Sequence, residues 1–295
     1  MTQITQERAV EDPFGYSVIA YPVAFGGSVT RVLEAGDGDD VVILLHGAGS
    51  RADRWIHNVR GLAKLGFHVY ALDFPGHGLA TKGPSTDLSP PVLAKAVLGF
   101  SEDTGVQSVT LVGTSFGGYI AALATSLAPS RVHSLVLVGA IGLGDYDVEM
   151  LRTGVKRIAT VDNDTIRQKL LTLVYDSTLV NDRWVAEETR INSSPGASDS
   201  LAEVGRVLME GPYDPNVLTQ VRDSGVPVLL VWGTEDKYVP ASYGIEVFDQ
   251  MPDAGLVLID RAGHAPYYER PVEFNQVLTS FRCAPAQFQG RVQNV

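Results

Sequence analysis

The sequence predicts an α/β domain on a doubly wound, mostly parallel sheet, and three observations predict it. Short apolar, β-branched runs alternate with segments of helical periodicity. The runs are almost continuously apolar, the pattern of strands buried on both faces, as in a parallel sheet. Glycine or proline stands where the intervening helices should stop.

Each element follows in order. Strand runs occupy Val41 to Leu45 (VVILL), Phe67 to Asp73, Ser108 to Gly113 and Ser134 to Gly139. Between them, Trp55 to Leu65, Leu88 to Glu102 and Gly117 to Leu127 repeat apolar residues at three- and four-residue spacing, so they supply the crossover helices of β-α-β units. The pattern resumes with strands at Val226 to Gly233 and Leu256 to Asp260, and with helices from Ala241 to Gln250 and Pro271 to Arg282. From Gly142 to Gln220 no buried-strand run appears, and Val148 to Val174 and Trp184 to Met209 are helical and amphipathic. The expected organisation is a core (1–141), a helical insertion (142–220), the rest of the core (221–283) and a polar, weakly patterned tail (284–295) expected to be mobile.

With 45% hydrophobic residues among 295, the chain can bury a sizeable core. Its first residues lack the apolar stretch of a secretion signal, and no later run approaches the roughly 20 apolar residues that span a bilayer. The expectation is a cytoplasmic protein without a membrane partner. Cys283 is the only cysteine, which excludes an intrachain disulfide. A net charge of −11 without a Lys/Arg-rich run argues against nucleic acid and leaves a small molecule as the expected partner. A homo-oligomer is compatible with the sequence.

The sharpest chemical signal is Gly113-x-Ser115-x-Gly117, which follows a strand run and opens a helix. Such an elbow holds a serine hydroxyl at the carboxyl edge of the sheet, where a helix N-terminus favours developing negative charge. A serine needs a base to be nucleophilic at neutral pH, and His264 lies in a loop just after the last predicted strand. His46 and His77 sit in glycine turns, His57 in a helical segment, His68 inside a strand run and His133 near a strand start, which makes them worse placed. The third member should be a carboxylate at a strand end between serine and histidine. Asp236 fits, with its neighbour Glu235 and Asp145 after the fourth strand also open; Asp236 could alternatively cap the helix near Val239. A tetrahedral intermediate needs N–H donors, expected from Phe116, next to the serine, and from Ala48 in His46-Gly47-Ala48-Gly49-Ser50, where Gly47 and Gly49 let the loop approach a ligand. No HExxH, P-loop or dinucleotide glycine fingerprint is evident, so no cofactor is expected.

The segments HGAG, DFPGHG, GTSFGG, GTEDKYVP and AGHAP occur in the order and approximate spacing of the α/β-hydrolase superfamily, which the chain resembles over nearly its whole length. The resemblance implies an α/β-hydrolase fold with an inserted helical cap and serine-hydrolase chemistry. It selects Asp236 over Glu235, because the aspartate of the family's G-x-x-D loop is the triad acid, and it supports Ala48 as the second oxyanion donor. Within the superfamily, Leu173 to Arg190 and Glu269 to Phe281 look like the meta-cleavage-product hydrolases, which cleave carbon–carbon bonds in vinylogous diketo acids. Arg190 falls near where that group places a cap arginine for the substrate carboxylate. The chain departs from the group in carrying GSRADRW where a longer glycine-proline loop follows HG, and Ala265 where tryptophan often follows the histidine.

The expected activity is therefore hydrolysis of a small, largely apolar carboxylic ester through an acyl-enzyme, since Ser115 replaces the carboxylate nucleophile of dehalogenases and epoxide hydrolases. Gly47, Phe116, Tyr119, Leu143, Met150 and Trp184 are expected to line the pocket, with Arg190 as a substrate contact. The alternatives are a carbon–carbon hydrolase of the meta-cleavage type and a non-catalytic ligand receptor on the same fold.

Overall fold

The computed structural model describes residues 18–83, 86–144, 155, 158, 161–210 and 213–295. Nine strands among these form one sheet in the order β1-β2-β4-β3-β5-β6-β7-β8-β9. They are β1 (Ile19–Phe25), β2 (Ser28–Ala35), β3 (Val41–Leu45), β4 (His68–Leu72), β5 (Val109–Thr114), β6 (Val132–Val138), β7 (Val228–Gly233), β8 (Gly255–Ile259) and β9 (Val292–Asn294). β1 and β2 pair antiparallel, β2 joins β4 antiparallel, and every pairing from β4 through β9 is parallel.

All residues of β3, β5 and β7 are buried, because helices cover both faces. On one face α2 (Pro90–Asp103), α3 (Phe116–Leu127), α7 (Val217–Asp223) and α8 (Ala241–Asp249) pack residues such as Leu93, Ile120, Val221 and Val247 against Ile43, Leu111 and Leu230. On the other, α1 (Ile56–Lys64) and α9 (Pro271–Cys283) bring Val59, Leu62, Leu278 and Phe281 against Val42, Val112 and Val257. The strand order reverses beside β3, the crevice in which ligands of doubly wound sheets sit. Between β6 and β7 the chain carries α4 (Asn163–Leu173), α5 (Asp182–Asn192) and α6 (Ala197–Glu210). Ile166, Leu170, Trp184 and Val185 give this insertion a small apolar cluster of its own.

Two departures from the sequence expectation stand out. The β1–β2 hairpin has an exposed face, so it lacks the continuous apolar run that marks the parallel strands. The tail, expected to be mobile, is docked. Phe288 is buried and meets Phe281 edge-on at a ring-centroid distance of 5.5 Å, and β9 hydrogen-bonds along β8. One aromatic anchor and the free edge of β8 are enough to order a segment whose strand is only three residues long.

Candidate active site

Ser115 sits between β5 and α3 with φ 53° and ψ −123°, a left-handed conformation that costs a residue with a side chain of order 1–3 kcal/mol. Backbone bonds hold it there. Its N–H donates to the Val138 carbonyl at 2.9 Å, and its carbonyl accepts the N–H of Gly118 at 3.0 Å. The following turn passes so close to β3 that a Cβ on Gly117 would lie 2.3 Å from the His46 carbonyl oxygen, which is why only glycine fits there.

His46 shapes the neighbouring loop rather than the chemistry. Its Nε2 accepts the Phe74 N–H at 2.9 Å, which fixes the tautomer, so Nδ1 donates to the Gly47 carbonyl at 2.8 Å. Complete burial lowers its pKa to about 4 and keeps the ring neutral. The loop thus fixed runs Gly47, Ala48, Gly49 and Ser50 along the wall of the cavity that Ser115 and His264 also line.

Asp236 and His264 follow the adjacent strands β7 and β8, and both are buried. Oδ2 of Asp236 accepts from His264 Nδ1 at 2.7 Å, while Oδ1 accepts the N–H groups of Tyr238 and Val239, each at 2.8 Å. The two possibilities for Asp236, turn capping and histidine orientation, are served by different oxygens of one carboxylate. Glu235 is exposed, and Asp145 lies outside the described residues. Gly139, just after β6, lies so near the pair that a Cβ there would stand 3.1 Å from His264 Nδ1 and 3.2 Å from Asp236 Oδ2. The His264 loop is tied to the insertion as well. Its N–H donates to the Leu173 carbonyl at 2.9 Å, and Glu269 accepts N–H groups of Gly263 (2.6 Å), Tyr175 (2.6 Å) and Asp176 (3.1 Å).

A serine at a strained elbow and a histidine held by a carboxylate, both facing one cavity, can activate a nucleophile. Ala48 is on the cavity wall, and Phe116 opens α3, where backbone N–H groups lack acceptors within the helix. Among the described residues no group of three His, Cys, Asp or Glu side chains could hold a metal ion.

The pocket residues expected from sequence fare unevenly. Gly47 lines the cavity, but Phe116 is buried beneath it. Tyr119 is fully buried behind the elbow, its hydroxyl accepting the Asp214 N–H at 2.6 Å, and Leu143 is buried with its N–H on the Tyr243 hydroxyl at 3.0 Å. Trp184 is buried within the insertion and supports the guanidinium of Arg54, which lies 4.4 Å from its ring centroid. Arg190 is exposed at the end of α5 and does not reach the cavity. Met150 lies outside the described residues.

What sequence reasoning missed is a charged cluster in the cavity wall. Glu188, on α5, is buried and binds Arg51, Arg54 (2.6 Å) and Lys169 of α4 (3.0 Å). These cations hold its carboxyl far below the usual carboxylate range in spite of burial. A signal existed, since Trp184 and Glu188 are four residues apart and share one helix face, so an inward tryptophan implies an inward carboxylate. The remaining wall is largely apolar, with Ile141, Ile158, Leu170, Leu173 and Leu208 beside Tyr238 and Tyr267.

Comparison with known proteins agrees with this architecture. The alpha/beta hydrolase fold family matches residues 40–271. A 2-hydroxy-6-oxononadienedioate/2-hydroxy-6-oxononatrienedioate hydrolase of Burkholderia vietnamiensis is 30% identical over 261 residues, covering 84% of this chain and 88% of that protein. Among solved structures, the meta-cleavage product hydrolase of Pseudomonas fluorescens IP01 superposes with a TM-score of 0.78 at 24% identity, over 89% of this chain and 97% of the other. A serine hydrolase involved in carbazole degradation does so with a TM-score of 0.75 at 25% identity, over 90% and 98%. The chain belongs to the alpha/beta hydrolase fold family.

Proposed function

We propose that this hydrolase cleaves a carbon–carbon bond in a vinylogous diketo acid, in the manner of the meta-cleavage-product enzymes. The observation that carries this reading is the 30% identity, spread over most of both chains, to a protein named for hydrolysis of 2-hydroxy-6-oxononadienedioate. The preference for ester hydrolysis drawn from sequence is thereby displaced to second place. In the proposed reaction the Ser115 hydroxyl adds to the ketone carbon as His264 accepts its proton, Asp236 holds the imidazole, and the N–H groups of Ala48 and Phe116 receive the developing oxyanion. The carbon–carbon bond breaks with its electron pair passing into the conjugated keto-acid arm, which takes up a proton from His264. Water then releases the acid held on Ser115 through the same base.

Ester hydrolysis through the same acyl-enzyme remains the second reading. It is favoured by the GSRADRW loop and by Ala265, where the chain departs from the meta-cleavage pattern. Wild type and Ser115→Ala are to be compared on a coloured dienoate and on p-nitrophenyl esters of graded acyl length. Preferential, Ser115-dependent loss of the dienoate colour supports carbon–carbon cleavage. Turnover of esters alone promotes the second reading, and turnover indifferent to the substitution overturns both.

A further inference from the structure

The cluster around Glu188 is more than a staple between the insertion and the core. Arg51 has Asp53 (3.0 Å) and Glu187 as partners besides Glu188, so its charge is shared among three carboxylates. Arg54 and Lys169 have a poorer supply. Among the described residues, the only carboxylate that either one meets is Glu188, Arg54 at Oε2 and Lys169 at Oε1. Of the side chains that line the cavity holding Ser115, Arg54 and Lys169 are cations, and Glu188, which also serves Arg51, is the one carboxylate between them.

Arg54 is the more pointed case. Its side chain is 6% exposed, and it lines the cavity. One face of the guanidinium rests on the Trp184 ring and Nη2 is engaged by Glu188, but the fork carries five N–H donors. Among the described residues, Glu188 is the only hydrogen-bond acceptor that it meets. A buried cation with spare donors facing a cavity is costly unless something negative completes it. Lys169 adds to the same end: it donates to Glu188 and to the Gly49 carbonyl, each at 3.0 Å, and an ammonium has three N–H groups. Because both heads are pinned by the two oxygens of one carboxylate, they sit side by side and are oriented before any ligand arrives.

We propose that Arg54, assisted by Lys169, is the carboxylate anchor of this cavity, and that the substrate lies with an anionic group against Arg54 and its scissile carbonyl against Ser115. The anchor deepens the proposed function and rests on its premise that the substrate is bound at Ser115. It gives the charge-recognising role to the loop after β3 and to α4, and takes it from Arg190. Glu188 acts through the two cations as a positioning residue.

The test uses binding, so that it does not depend on which bond is cut. In a Ser115→Ala background, oxoheptanoate and its methyl ester are titrated by calorimetry, the pair differing in one negative charge. The keto acid is expected to bind at least on the order of tenfold more tightly than the ester, the scale of one charge-assisted hydrogen bond. Arg54→Met should reduce this preference to near unity, Arg54→Lys should keep part of it, and Arg190→Met should keep all of it. Circular dichroism and melting temperature establish that each variant is folded, and if Arg54→Met is not, Arg54→Lys and Lys169→Met carry the comparison. Equal affinity for acid and ester, no binding of either at millimolar concentration, or a preference that survives Arg54→Met would overturn the anchor. A preference for the acid without dienoate turnover sinks the proposed reaction and keeps the anchor; dienoate turnover without the preference does the opposite.

Discussion

Asp236 and His264 meet at 2.7 Å across the ends of two neighbouring parallel strands, and the same carboxylate closes its own turn through Tyr238 and Val239. One side chain is thus constrained from two directions. Asp236→Asn, which keeps the shape but replaces an acceptor by an amide, is expected to lower kcat by roughly 10⁴, as loss of the correct tautomer does in serine hydrolases. Asp236→Ala should in addition lose about 1–3 kcal/mol of stability by orphaning two N–H groups. Glu235→Gln, in the exposed neighbour, should leave both within experimental error. Steady-state kinetics and urea unfolding on the three variants check this.

The elbow makes a prediction of opposite sign for stability. Ser115 occupies a left-handed backbone conformation at φ 53°. Ser115→Gly should therefore raise stability over Ser115→Ala by about 1 kcal/mol, because glycine relieves the strain and alanine does not. Both should lose turnover. Paired melting curves of the two variants decide the point.

Glu188 should dominate the acid stability of the insertion. Removing it leaves buried cations uncompensated, and Glu188→Ala is expected to cost about 3–5 kcal/mol. Its folded pKa is lowered, so the stability it contributes is complete above the ordinary carboxylate value of 4.5 and is lost as the pH falls below it toward the lowered value. Glu188→Gln should accordingly flatten the stability–pH curve below about pH 4.5. Denaturant midpoints across pH 3–7 measure it, and a curve parallel to wild type would contradict the assignment.

The docked tail predicts that Phe288→Ala costs about 3–5 kcal/mol, as deletion of a core aromatic does. Truncation after Gln287 should also bare the β8 edge and promote association. Urea unfolding and light scattering report the two effects separately.

The parallel strands were legible because each is apolar on both faces, so a contiguous run such as VVILL has no other soluble use. Ser115, Asp236 and His264 were legible because each sits in a short turn motif at a strand end. The charged wall was not, because Arg51 and Glu188 are 137 residues apart and nothing local pairs them. Arg190 shows how closely position must be specified on a helix. It lies two residues past Glu188, roughly 200° around α5, so the phase that turns Glu188 inward turns Arg190 to solvent. Nearness in sequence to a functional position carried no information about which way the side chain faces.

The bond from the His264 amide to the Leu173 carbonyl joins the helical insertion to the loop that carries His264. Glu269 doubles the join, gripping Gly263 on one side and Tyr175 and Asp176 on the other. If the end of α4 swings away from the sheet, the imidazole loses its backbone tether in the same movement. In the proposed mechanism such a displacement would take the imidazole out of register with Ser115, so opening along this route would also disarm the site. Under that mechanism the interlock would itself spare Ser115 from idle encounters, without any separate safety device.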